Sequence, residues 1–309
     1  MRLSFICPCY NEEDNIFPLV KAIKDEFPVT DEYEIVFVND GSQDNTLNKM
    51  LDAKAVSGCN IKIVDFSRNF GKESAMYAGL EHSSGDIITI IDADLQQNPS
   101  VVSKMIYILD SSRDVDCVCA YQENRNENKL YSACKNLFYK IADKTTEIEF
   151  KNGASDFRTF RKCVKDAILS MPEYHRFSKG IFSWVGFNTV YIPYQADERK
   201  NGKSSFSFFS LLKYGINGII NFSTLPIKFA SLVGGSAIVF SIIYAIITII
   251  RKLVDNINVD GFTQLVILIT FFGGIQLFSV GIIGEYIAKN YIQSKKRPIY
   301  IARNIIDYK

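Results

Sequence analysis

Two long apolar runs constrain this chain more than any other feature. Ile227 to Ile250 carries a single charged residue, Lys228, at its edge, and Leu265 to Ala288 carries Glu285 near its end. Each is long enough to cross a hydrocarbon core of about 30 Å as a helix. A buried helix pair in a soluble core is the alternative, but soluble helices of this length normally keep a polar face. The short connection Arg251 to Phe262 makes the two spans an antiparallel hairpin. Lys289, Lys295, Lys296, Arg297 and Arg303 follow the second span, against Arg251 and Lys252 with Asp255 and Asp260 in the connection. By the positive-inside tendency both termini are expected in the cytoplasm. No signal-peptide pattern opens the chain, because its first apolar run is a strand ended by Pro8.

The residues ahead of Pro226 read differently. Gly85-Asp86-Ile87-Ile88-Thr89-Ile90-Ile91-Asp92-Ala93-Asp94 is an apolar strand that ends in two carboxylates one residue apart. Alternate strand residues share a face, so both can address one hard cation as the strand frays. The other strands repeat the pattern. Leu3 to Pro8 leads into Cys9-Tyr10-Asn11-Glu12-Glu13, Glu34 to Val38 into Asn39-Asp40-Gly41-Ser42, and Ile61 to Phe66 into Ser67 to Lys72. Helical segments follow at Asn15 to Phe27, Thr46 to Val56 and Ser74 to Glu81. Strand followed by helix, repeated, specifies an α/β fold with a mostly parallel sheet covered by helices on both faces. Ligands of such sheets bind beyond the carboxyl ends of the strands, where Asp40, Asp92 and Asp94 are expected.

These motifs, together with Gly153 to Arg158 and Arg199 to Ser204, resemble in type and order those of inverting family-two glycosyltransferases with the Rossmann-like, nucleotide-sugar-binding GT-A fold. Within that family the chain is similar to the polyprenyl-phosphate branch, which includes dolichyl-phosphate mannose synthases and bactoprenol glucosyltransferases. The resemblance covers nearly the whole chain. It implies a GT-A catalytic domain over residues 1–205, an amphipathic juxtamembrane segment over 206–225, two transmembrane helices within 226–290 (about 227–250 and 265–288) and a basic cytoplasmic tail over 291–309. Phe206 to Phe222 lies either in the membrane interface or in the core of the soluble domain.

The resemblance also implies roles. Asp94 is the first choice of ligand for Mg²⁺ or Mn²⁺, and Asp92 shares the metal or binds the ribose. Asp40 corresponds to the family's base-reading carboxylate, with Pro8, Tyr10 and Glu12 around the nucleoside. Pro8 and Tyr10 are equally explained by strand termination and packing, and Asn39 and Ser42 by a turn or cap. Asp156 matches the catalytic carboxylate, which acts as a general base in hydroxyl-acceptor relatives. A phosphate monoester acceptor is already largely deprotonated near pH 7, with a second pKa of about 6, so here Asp156 orients the acceptor or takes a residual proton. A structural partner for Arg158 or Arg161 is the other reading of Asp156. Arg199 and Lys203 are assigned to the acceptor phosphate or pyrophosphate, or to anionic headgroups. The family's motif commonly reads R-x-x-G-x-S-K-Y, whereas Ser205 and Phe206 stand here where Lys and Tyr would, and Lys203 is the substitute cation.

The expected reaction is transfer of one sugar, with inversion, from a nucleotide diphosphate sugar to polyprenyl phosphate, undecaprenyl phosphate in a bacterium, at the cytoplasmic face of the inner membrane. UDP-glucose is favoured, with GDP-mannose and UDP-GlcNAc open. A processive polysaccharide synthase would carry a Q-x-x-R-W motif, which is missing around Trp184, the single Trp. A membrane scaffold or nucleotide sensor would not need Asp92, Asp94, Asp156 and Arg199 together. A formal net charge of +1 gives no footprint for nucleic acid. Seven Cys with two His, His82 and His175, favour buried thiols over a zinc site. Gly234, Gly235, Gly273, Gly274, Gly281 and Gly284 permit close helix contacts within one hairpin or between copies of a homo-oligomer.

Overall fold

The computed structural model describes residues 2–122, 154–195, 225–255 and 261–307. Its contacts divide the chain into two compact units, residues 1–218 with 297–309 and residues 219–296.

In the first unit, strands β1 (Leu3–Cys9), β2 (Tyr33–Asn39), β3 (Asn60–Phe66) and β4 (Ile87–Ile90) alternate with helices α1 (Ile16–Glu26), α2 (Thr46–Val56) and α3 (Lys72–His82). The strands read as continuous apolar runs because both faces are covered. Phe5, Ile35, Phe37, Ile61 and Ile63 face one core, and Val36, Val38, Val64 and Phe66 face the other, with Ala75 and Ala78 of α3. Helix α1 buries Ile16, Leu19, Val20 and Ile23, the stripe of an amphipathic helix. Helix α4 (Pro99–Ser111) starts at Asn98, whose side chain accepts a bond from Ser100 N, with Pro99 in the first turn. Gly79 lets α3 approach β1, since a Cβ there would meet Ile6 Cγ2 at 2.2 Å.

Among the described residues the sheet has eight strands in the order β7-β5-β6-β4-β1-β2-β3-β8. Strands β5 (Cys117–Gln122), β6 (Ala154–Arg161), β7 (Thr189–Tyr194) and β8 (Ala302–Ile306) complete it, with short helices α5 (Lys162–Leu169) and α6 (Ser178–Trp184) between β6 and β7. Pairs β1–β2, β1–β4, β2–β3 and β5–β7 are parallel, whereas β6 runs antiparallel to β4 and β5, and β8 antiparallel to β3. The antiparallel β6 therefore begins at the rim where β1 to β4 end. Cys7, Cys9, Cys59, Cys117 and Cys119 are buried free thiols, and Cys163 is an exposed one.

Residues 291–309, read from sequence as a basic tail, form the end of a helix and then an edge strand. Tyr300 stacks on Phe66 with ring centroids 4.8 Å apart. Its hydroxyl donates to Glu81 at 2.7 Å and lies 2.8 Å from His82 Nε2. Burial of apolar surface beside β3 holds the segment where charge alone suggested a cytoplasmic tail.

The second unit consists of helices α7 (Leu225–Asp255) and α8 (Phe262–Ser294). Both run past the expected spans. Their apolar stretches, Leu225–Ile250 and Ile267–Ser294, are long and apolar enough to cross a membrane. Outward-facing Leu232, Ile238, Leu277 and Ile287 are exposed. Tyr244 donates to Gln264 at 3.1 Å between the two helices. The expected amphipathic segment, Phe206 to Phe222, lies outside the described residues.

Candidate active site

Strand order reverses at β1, which has β2 on one side and β4 on the other, so the crevice of the sheet opens beyond these carboxyl ends. Its first wall is built from the loops after β1 and β2. The β1–β4 ladder stops at Ile6 and Ile90, two residues short of Pro8, which has no N–H to extend it. Beyond Pro8, Tyr10 is 42% exposed and Asn11 takes the left-handed conformation, φ 56°. The two loops then lock together. Asn11 N donates to Ser42 Oγ (3.0 Å), Gln43 N to Asn11 Oδ1 (2.8 Å), Glu12 N to Thr46 Oγ1 (2.8 Å) and Asn45 N to Glu13 Oε2 (3.0 Å). Asn39 closes the β2 turn by accepting from Ser42 N and donates to Asp65. Glu12 accepts from Asn15 Nδ2, so its carboxylate helps to shape this wall.

Asp40 differs from expectation. Its carboxylate is 3% exposed and is turned toward the loop after β3. Oδ1 accepts from Phe70 N at 2.6 Å and Gly71 N at 3.2 Å, and Oδ2 from Gly71 N at 2.9 Å. Desolvation by burial lifts its pKa to about 6 despite these bonds and the nearby Arg68. A buried carboxylate saturated by N–H groups serves first as a loop anchor. Gly41 enables the same packing. It has φ +66°, and a Cβ there would lie 2.4 Å from Arg68 C.

The anchored loop delivers Lys72, the first residue of α3. Its ammonium lies 2.6 Å from Asp92 Oδ1 and 3.4 Å from Asp156 Oδ2, with the Lys72 side chain 38% exposed and that of Asp156 16%. Desolvation works against the lysine's charge, but the two carboxylates outweigh it and hold its pKa above the ordinary value. Desolvation likewise works against ionised Asp156, and Lys72, Lys179 and Arg158 together hold that carboxyl below its ordinary range. Asp156 Oδ1 is buried and accepts no hydrogen bond among the described residues. Neither Arg158 nor Arg161 hydrogen-bonds to Asp156 among the described residues, although Arg158 acts on it through its charge. Arg158 donates to Ser155 O and stacks on Phe182, and Arg161 donates to the carbonyls of Leu109, Ser112 and Val115.

Register explains the meeting. Ile88 pairs with Phe160 and Ile90 with Arg158, so the next same-face step sets Asp92 against Asp156. Strand β4 itself ends at Ile90, and the chain turns through Leu95 at φ 61°. The two carboxylates of the D-x-D run therefore sit in a turn rather than on one strand face. Asp92 is clasped by Gln97, 5% exposed, which accepts from Asp92 N at 2.8 Å and donates to Asp92 Oδ2 at 2.9 Å. Asp94 Oδ1 accepts from Gln96 N at 3.2 Å. Lys72, Lys179 and Gln97 carried no role in the sequence reading. Lys72 was signalled only by its place in a carboxyl-end loop, and Gln97 by nothing. Arg199 and Lys203 lie outside the described residues.

Among the described residues no three His, Cys, Asp or Glu side chains are grouped to hold an ion. The residues fit a divalent ion of another kind. The donor set is hard carboxylate oxygen, and the unpartnered Asp156 Oδ1 marks unspent negative charge. Mg²⁺ is commonly held by one or two carboxylates plus substrate phosphates rather than by an all-protein cage.

Residues 4–168 match the family described as glycosyl transferase family 2, and residues 225–289 match the GtrB C-terminal hairpin. The glycosyltransferase CsbB of Bacillus subtilis is 38% identical over 97% of this chain and 91% of that protein. The bactoprenol glucosyl transferase of Shigella phage SfV is 38% identical over 98% of this chain and 99% of its own. Among solved structures, a mycobacterial protein superposes with a TM-score of 0.50 at 18% identity, over 71% of this chain and 74% of that one, a likeness of fold. The chain belongs to glycosyl transferase family 2. Its hairpin and its full-length relatives set it in the branch of that family which includes the bactoprenol glucosyl transferases.

Proposed function

We propose that this chain transfers a single hexose, with inversion, from a nucleotide diphosphate sugar to polyprenyl phosphate, with UDP-glucose as the favoured donor and Mg²⁺ or Mn²⁺ as the metal. The observation that carries the reading is the set of cations around Asp156. A hydroxyl acceptor needs a base whose pKa lies near the working pH. A carboxylate held low by Lys72, Lys179 and Arg158 is a poor base of that kind. A phosphate monoester needs little deprotonation at pH 7, and the same cations favour its charge. The names of the glucosyl relatives support both the acceptor and the sugar.

In this reading Tyr10, Pro8 and Glu12 shape the nucleoside wall, Asp94 holds the metal, Asp92 shares it or binds the ribose, and Asp156 orients the acceptor oxygen for attack on the anomeric carbon. A bound divalent ion supplies Lewis-acid neutralisation of the leaving diphosphate. Lys72 shares that task from the protein side, and Arg199 and Lys203 are proposed for the phosphates. Strand β8 follows the second apolar helix yet pairs with β3, ahead of the first. That pairing supports an even number of membrane crossings, and the basic residues after the second span support the cytoplasmic side for both termini and the catalytic unit. The test is to incubate membranes containing the protein with a panel of radiolabelled nucleotide sugars and extract the lipid. Label from UDP-glucose in an acid-labile polyprenyl-phosphate product is expected, and no labelled lipid with any donor contradicts the reading.

A further inference from the structure

We propose that Lys72 is the resident cation of Asp92 and Asp156, so that a divalent ion reaches Asp92 and Asp94 only with the diphosphate that draws the ammonium away. The inference rests on the metal reading above and adds an order of events to it. Two carboxylates on opposed positions cannot both stay ionised without a cation between them. Here Lys72 supplies it, at 2.6 and 3.4 Å. A divalent ion approaching without nucleotide meets the ammonium as a like charge. The nucleotide diphosphate changes the balance, since it offers Lys72 an alternative anion and brings its own oxygens to the metal. Lys72 is well placed for the exchange. It is the first residue of an 11-residue helix whose N-terminal end favours anions, and its side chain is 38% exposed, so it has room to swing.

The experiment is Mn²⁺ binding followed by EPR on the full chain in detergent, with wild type, Lys72→Met, Lys72→Gln and Lys72→Arg. Without nucleotide, Lys72→Met and Lys72→Gln are expected to bind Mn²⁺ at least tenfold more tightly than wild type, and Lys72→Arg to bind as weakly as wild type. Thermal unfolding gives a second readout. Lys72→Met and Lys72→Gln lose Tm through their unpaired carboxylates, and Mn²⁺ restores it further than it raises wild type. Adding UDP-glucose or GDP-mannose tightens Mn²⁺ binding to wild type tenfold or more. Equal Mn²⁺ affinity of wild type and the neutral variants without nucleotide, alongside nucleotide-dependent binding, overturns the competition and leaves the metal reading standing. Absence of Mn²⁺ binding by wild type with either nucleotide and by both neutral variants overturns the metal reading and the competition together.

Discussion

Asp92, two residues past the end of β4, and Asp156 of β6 share the ammonium of Lys72, at 2.6 and 3.4 Å. One carboxylate belongs to the turn after a parallel strand, the other to the start of an antiparallel strand. The reversal of β6 is what brings residues 64 positions apart to one rim.

Asp156→Asn keeps the shape of the side chain and removes its charge. Transfer is expected to fall by about 100-fold or more, with little change in the donor KM, because the carboxylate acts on the acceptor side. Initial rates of lipid labelling over a donor series check this. An unchanged rate would remove Asp156 from the reaction.

The packing of the β2 and β3 loops depends on Gly41. A methyl group there meets the Arg68 and Asn69 backbone at 2.4 and 2.5 Å, at a φ of +66°. Gly41→Ala is expected to cost about 2–4 kcal/mol and to raise the donor KM by displacing Lys72. Thermal unfolding and donor titration in the same preparation measure both.

Asp40 gives a pH signature. Its folded pKa of about 6 exceeds the ordinary 3.8, so the native chain holds the proton to higher pH than the unfolded chain does. Stability contributed by this group is therefore greatest when it is protonated, declines as pH rises from about 4 to 6, and stays lower above that. The difference corresponds to about 3 kcal/mol. Asp40→Asn removes the titration, so denaturant unfolding should show wild type losing up to that amount relative to the variant between pH 4 and 7. A gap independent of pH would contradict the burial of this carboxylate.

Tyr300 ties the last strand to α3. Tyr300→Phe keeps the stack on Phe66 and loses the hydroxyl contacts to Glu81 and His82, which should cost about 1–2 kcal/mol. Tyr300→Ala should cost more, since it removes the ring as well. Unfolding midpoints of the two variants separate the hydroxyl from the stack.

Much of this was legible in the sequence, because apolar strands that end in polar turns announce a parallel sheet and its rim. Strands β1 to β3 and helices α1 to α3 lie within two residues of where periodicity put them, whereas β4 stops at Ile90, four residues before the expected end at Asp94. The features that escaped depend on long-range pairing. Nothing local in Ala154–Arg161 says that the strand runs antiparallel, and nothing in Asp40 says that its carboxylate accepts from the Phe70 and Gly71 N–H groups. The sequence places Lys72 only at the end of the loop after β3. The basic composition after Tyr291 suggested a cytoplasmic tail and gave no sign of the Tyr300 stack and the β8 ladder that pair it with β3.

The most direct measurement is donor turnover by the purified protein in lipid containing undecaprenyl phosphate, with and without chelation of divalent ions, in wild type and in the Asp92→Ala/Asp94→Ala double variant. The account predicts metal-dependent formation of a labelled lipid by wild type and none by the folded double variant. Turnover that persists unchanged under chelation, or in the double variant, would contradict it.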